Sequence, residues 1–153
     1  GVEGGHSKTP QSRILNSRLR SATAHEAHAF ALPQGAQVLQ FERLRSLDLE
    51  PCLLETIVLP LPLFGALADS DTEAWDDLLY PMYQQRCGVV IQKTQDSLSF
   101  SQLNATQAKR LKLPAAHPCV LVDRQAFDIA GHCVELRTTR GDAFAFKYTA
   151  QLH

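Results

Sequence analysis

VLQFERLRSLDLEPCLLETIVLP, residues 38–60, reads as two strands joined by a tight turn. Val38, Gln40, Glu42 and Leu44 alternate with Leu39, Phe41, Arg43 and Arg45, the period of two that a strand requires. Asp48 and Pro51 supply turn chemistry, and residues 53–59 are rich in β-branched and apolar types. Arg43 and Arg45 are two apart, so on a strand they point to one face. With Glu55 on the return strand, that face reads as a surface built to hold something anionic and polar rather than as core.

The pattern returns further along the chain. Leu32-Pro33 precedes Val38, Arg43, Asp48 and Glu55, and Leu113-Pro114 precedes Val120, Arg124, Asp128 and Glu135. Leu32 to Arg43 and Leu113 to Arg124 are the same eleven-residue step. Each copy follows an alanine-containing helical stretch, EAHAFALP or QAKRLKLP. This predicts an internal duplication of helix, strand, turn and strand. Two copies are too few for a solenoid and suit one sheet with approximate two-fold symmetry and a shared central site.

Composition sets the frame. The 153 residues predict one domain, with 44% hydrophobic content and a net charge of −1. Such a chain buries roughly two thirds of its unfolded surface, enough for a self-sufficient core. The charge balance argues against nucleic-acid binding by these residues alone. No run of apolar residues is long enough to span a membrane. The polar, Gly-rich start lacks a signal-peptide pattern, so the expected location is cytoplasmic. Cys52, Cys87, Cys119 and Cys133 form no CxxC pair and fall in or beside apolar runs, which predicts four reduced, buried thiols and no zinc site.

Along the chain, residues 1–11 read as a linker and residues 12–153 as the domain. Residues 12–19 alternate as a first strand. Thr23 and Glu26 form a capping box for a helix ending near Leu32-Pro33. His25 and His28 lack the spacing of a metal-binding helix and read as surface residues. Residues 60–67 read as a proline-punctuated connection. Residues 69–77 hold five acids and no base, with Ser70 and Glu73 as a second capping box. Trp75, Leu78, Leu79, Met82 and Tyr83 follow at helical spacing, interrupted by Pro81, so the stretch is either kinked or begins a fresh helix with the proline in its first turn. Gly88 ends it. Residues 89–100 read as a strand, Asn104 and Gln107 as a capping box, and residues 119–128, 132–139 and 143–152 as strands with hairpins at Gly131 and Gly141-Asp142. The sum is six or seven strands and three or four short helices, an α+β domain around an antiparallel sheet.

No nucleophile elbow, phosphate-cradling glycine loop or catalytic His/Cys/Asp set is present. Glu55 and Glu135 admit two readings, a general acid/base pair or ion-pair partners, with Glu55 balancing Arg45 and Glu135 balancing Arg124.

The chain resembles the UTRA domain, the effector-binding domain of GntR-family transcriptional regulators of the HutC subfamily. The matching pieces are Glu42-Arg43-Leu44-Arg45, the strand Glu55-Thr56-Ile57-Val58-Leu59-Pro60, and Leu79-Tyr80 ahead of Gly88. To these are added the Ala108-Lys109-Arg110-Leu111 helix, residues 120–128, and Val134-Glu135 followed by Arg140-Gly141-Asp142. They run in family order across residues 12–152. The resemblance implies a chorismate-lyase-like UTRA fold with a pseudo-two-fold repeat, no enzymatic activity and no cofactor or metal. It implies a small-molecule effector, a sugar phosphate or a carboxylate, held by Arg43, Arg45, Glu55, Tyr80, Arg124, Glu135 and Arg137. Guanidinium forks suit phosphate or carboxylate, and carboxylates accept from hydroxyl or amine groups. Where the family often has a phosphate-holding Ser, Leu78 stands, and the segment after Glu135 is shorter, lacks the usual Tyr and offers Arg137 to the cleft instead. A homodimer is implied, as is operator contact only through a winged helix-turn-helix domain that these residues lack. Because the fold also resembles chorismate lyase, an enzyme acting on a small aromatic carboxylate is the alternative.

Overall fold

A computed structural model describes residues 8–145. Among these residues six antiparallel strands form one sheet in the order β1-β2-β3-β6-β5-β4: β1 Pro10–Ser21, β2 Gln37–Leu47, β3 Glu50–Pro60, β4 Ile91–Gln102, β5 Pro118–Asp128 and β6 Cys133–Asp142. Four helices flank it: α1 Ala24–Phe30, α2 Leu61–Ala68, α3 Leu79–Cys87 and α4 Ala105–Leu111. The hairpin of residues 38–60 is present with Arg43 directly opposite Glu55.

The duplication is larger than the sequence pattern suggested, because each copy also includes its leading strand. β1-α1-β2-β3 and β4-α4-β5-β6 have the same plan, and β3 and β6 meet antiparallel at the centre. Backbone details repeat. Thr23 and Asn104 each close a reciprocal capping box, with Glu26 and Gln107. Ala31 and Lys112 end their helices in the left-handed region at φ 54° and 55°. The amides of Leu32 and Leu113 then donate back to the carbonyls of Ala27 and Ala108, both at 2.9 Å. A register shift follows Arg45 in β2 and, at the matching place, Ala126 in β5.

One face of the sheet is covered by α2 and α3, which enclose Leu39, Phe41, Ile57, Leu59, Phe64, Leu67, Met82 and Tyr83. Each of these side chains contributes about 1.5–3 kcal/mol through its removal from water. The other face carries α1 and α4, and here the halves interlock. α4 packs on β3 through Leu54, Ala108 and Leu111, and α1 packs on β6.

Several boundaries differ from expectation. β1 begins at Pro10, inside the stretch read as a linker. The connection read over residues 60–67 is α2. Its Pro62 sits in the first turn, where a missing amide proton costs nothing, so the proline starts a helix rather than preventing one. Asp71, not Ser70, caps the acidic segment, and what it caps is a single 3-10 turn, Thr72–Ala74. Ser70 instead donates to the Leu67 carbonyl and accepts from the Trp75 indole. Trp75 is extended, so the aromatic stripe is broken and α3 is a fresh helix with Pro81 in its first turn. Gly88 ends α3 at φ 69°. β6 runs straight through the expected hairpin at Gly141-Asp142, and residues 143–145 are a turn. The remainder of the strand read over residues 143–152 lies outside the described residues. Cys119 and Cys133 are buried, but Cys52 and Cys87 are only half-buried.

Candidate functional site

The period of two places Arg43, Arg45, Glu55, Glu135, Arg137 and Arg124 on the face that carries α3, because Arg43 stands opposite Glu55, Ile57 opposite Arg137 and Arg137 opposite Arg124, with Arg45 and Glu135 two positions along their strands. The expectation that Arg43 and Glu55 form an exposed surface is overturned. They are 3% and 2% exposed, and Glu135 is fully buried. The helices that follow β3 fold back over this face, an event of tertiary packing that a strand's alternation does not encode.

The buried charges form one continuous network. Arg43 Nε donates to Glu55 Oε1 at 2.6 Å, and its Nη1 donates to the Asp77 carbonyl at 2.9 Å. Arg137 Nη1 reaches the other Glu55 oxygen at 3.2 Å. Its Nε and Nη2 grip both oxygens of Glu135, at 3.0 and 2.9 Å. Glu135 also accepts from the Tyr83 hydroxyl at 2.6 Å and from the Tyr80 hydroxyl at 3.2 Å. The Arg137 guanidinium lies over the Tyr80 ring, 5.2 Å from its centroid. Among the described residues, no buried side-chain nitrogen or oxygen lacks a partner.

The expected pairings, Glu55 with Arg45 and Glu135 with Arg124, are not the ones formed. Register decides this. Arg45 stands opposite Leu53, while Arg43 stands opposite Glu55. Arg124 stands between Arg137 and Asp96, and it takes Asp96 bidentately at 2.8 and 3.0 Å. Nor are Glu55 and Glu135 repeat equivalents. With Arg43 matched to Arg124, Glu55 matches Arg137, and Glu135 matches Leu53. Arg45 and Arg124 are the half-buried arginines of this face.

Electrostatics follow the geometry. Burial pushes the Glu55 carboxyl up, but the Arg137 and Arg43 guanidiniums outweigh it and hold it below the usual carboxylate range. Burial raises the Tyr80 hydroxyl, and raises that of Tyr83 well above its ordinary value, with the Glu135 charge adding to both. The Asp96 carboxylate stabilises the Arg124 charge.

Tyr83 and Asp96 were not foreseen as polar members of the site. Tyr83 is one helical turn beyond Tyr80 and therefore shares its face, a usable signal. Asp96 is visible only through the β4–β5 register. Beside Arg43 a cavity of about 300 Å³ is walled by Arg13, Ile14, Thr72, Trp75, Asp76 and Asp77. Among the described residues, no cluster of His, Cys, Asp or Glu is arranged to hold a metal, and no helix is long and apolar enough to cross a membrane.

A family model for the UTRA domain matches residues 5–147. The chain is 27% identical over 121 residues to the Probable transcriptional regulator PhnF of Escherichia coli (strain K12), a match covering 78% of this chain. The chain spans about half the length of that relative, 47%. Among crystal structures, the ligand-binding domain of a regulator from Bordetella bronchiseptica assigned to the GntR family superposes with a TM-score of 0.87 at 24% identity, covering 94% of this chain and 92% of that one. The effector domain of PhnF from Mycobacterium smegmatis gives 0.85 at 24% identity, covering 95% and 88%.

Proposed function

The chain belongs to the UTRA domain family, and we propose that it senses an anionic metabolite, a sugar phosphate or a carboxylate, for a GntR-type transcription regulator. The observation that carries this is the buried Arg43–Glu55–Arg137–Glu135 network with Arg45 and Arg124 beside it on the same face. Buried ion pairs are no better for stability than apolar packing of the same volume, and often worse. Their use is to hold guanidinium forks and carboxylates in fixed orientation. An incoming anion docks on Arg45 and Arg124. It competes with Glu135 for Arg137, while Glu55, Glu135 and Tyr80 accept from or donate to its hydroxyl or amine groups. Glu135, once parted from Arg137, still holds the Tyr80 and Tyr83 hydroxyls of α3, so its movement carries the helix with it and links ligand to helix position. The regulator acts as a homodimer in the cytoplasm and meets operator DNA through another domain.

The enzyme alternative is not favoured. Glu55 is salt-bridged to two arginines and kept below the usual carboxylate range, so at neutral pH it has no proton to give.

The test is a thermal-shift screen of the chain against sugar phosphates, amino-acid catabolites and small aromatic acids. Binding to the folded state stabilises by about 2.7 kcal/mol at a hundredfold excess over Kd. The expected result is a hit that disappears in Arg45→Ala and Arg124→Ala. Turnover of an aromatic carboxylate would overturn the reading, as would a hit indifferent to both substitutions.

A further inference from the structure

A second concavity lies on the other face of the sheet, where α4 packs beside β1 and β2. It is a groove of about 970 Å³. Arg13 from β1 and Lys109, Arg110 and Lys112 from α4 and its C-cap line it, with Leu49 and Pro51 among its apolar walls. All four basic side chains are exposed, and among the described residues no carboxylate lines the groove. None of the four makes an ion pair among the described residues, whereas Arg20, Arg43, Arg124 and Arg137 all do.

The internal duplication supplies a control. By the matched caps and strand register, the positions of Lys109, Arg110 and Lys112 correspond to His28, Ala29 and Ala31 beside α1, and Arg13 corresponds to Gln95 on β4. The same backbone in the other half therefore carries no Lys or Arg at any of the four places. Nothing in the shared scaffold demands the cations of the α4 groove.

We propose that this groove is a binding site for a small phosphate-bearing anion, separate from the site on the α3 face. Four cations around one space match several negative charges. Arginine offers a bidentate fork, and lysines add point charges. The apolar walls suit the uncharged part of such a molecule. Shape separates a small ligand from duplex DNA: a concavity in the range of roughly 300–1,000 Å³ encloses a small molecule, whereas the DNA backbone is a convex rod.

The experiment is calorimetric titration of the chain with inorganic tripolyphosphate at low salt. The expected result is saturable binding, weakened on the order of ten-fold or more in Lys109→Gln/Arg110→Gln/Lys112→Gln and unchanged in Lys93→Gln. The triple variant alters only exposed side chains, so its melting temperature should match the parent's. An absence of saturable binding would overturn the proposal. So would equal weakening by Lys93→Gln, which would reveal general charge screening. Loss in Arg45→Ala with none in the triple variant would place the ion in the α3-face site, and binding of duplex DNA but not tripolyphosphate would make the groove a nucleic-acid surface. Either of these results would overturn the proposal while leaving the effector reading standing.

Discussion

The two halves of the sheet share a backbone and differ in where their charges go. In the first half Arg43 faces Glu55 across the hairpin, and both are buried. In the second half Arg124 faces Arg137, a like charge, and turns outward to Asp96 on the neighbouring strand. The position that carries Glu55 in one half carries Arg137 in the other, and these two bond to each other across the central strand pair at 3.2 Å. The caps, the left-handed helix ends and the matched register shifts belong to the scaffold and survive in both copies. The ionic network belongs to the divergence between them.

The largest effect expected from this contrast is on stability. Removing Arg43 from its buried pair leaves a carboxylate short of a partner, and Arg43→Ala is expected to cost about 3–5 kcal/mol. Its counterpart Arg124 has a side chain that is 30% exposed, and Arg124→Ala is expected to cost about 1–2 kcal/mol. Urea unfolding of the two variants measures the gap, and equal losses would show that burial does not distinguish the halves.

Acid should bring out the same network. Glu55 has a folded value below its ordinary 4.5. Its contribution is therefore complete above pH 4.5 and is lost as the pH falls through the lower folded value. Melting temperatures followed downward from pH 5 should drop, and Glu55→Gln should flatten that arm of the profile. An unchanged slope would assign acid lability to other carboxylates, such as Glu26, whose value is also lowered by Arg20.

Next come the scaffold features, which should behave alike in both halves. Thr23→Ala and Asn104→Ala each remove a capping-box oxygen at 3.1 and 2.8 Å, and each should cost about 1 kcal/mol. A several-fold difference between them in denaturant unfolding would break the equivalence of α1 and α4. The smallest stability effect belongs to Arg45→Ala. Arg45 is half-buried without an ion-pair partner among the described residues, so the loss should stay within about 0.5 kcal/mol while effector binding disappears. A melting temperature lowered by many degrees would make Arg45 structural.

Local signals were legible in the sequence, and tertiary ones were not. Both helix caps, the end of α3 at Gly88, the central hairpin and the duplication follow from short-range chemistry. The antiparallel α+β class follows from those. Six of the seven candidate residues lie on strands, and these six share one face because alternation fixes the face of each. Which carboxylate meets which arginine depends on register, and a shift of two positions exchanges partners without disturbing the alternation. Glu135 was therefore matched with Glu55 although it stands where Leu53 does. Burial of Arg43 was illegible for a different reason: α2 and the acidic segment must first fold back over the sheet. Prolines misled because Pro62 in a helix's first turn looks like Pro in a loop until the chain around it is placed.

The exchange of Glu55 for Arg137 across the central strand pair has a consequence for orientation. A cleft over an exact two-fold axis would present the same chemistry to either end of a molecule lying across it, and would admit it both ways round. Here the approximate axis relates an acid to a base. The recess has a polarity of its own, and an elongated guest lying across it would be read head from tail.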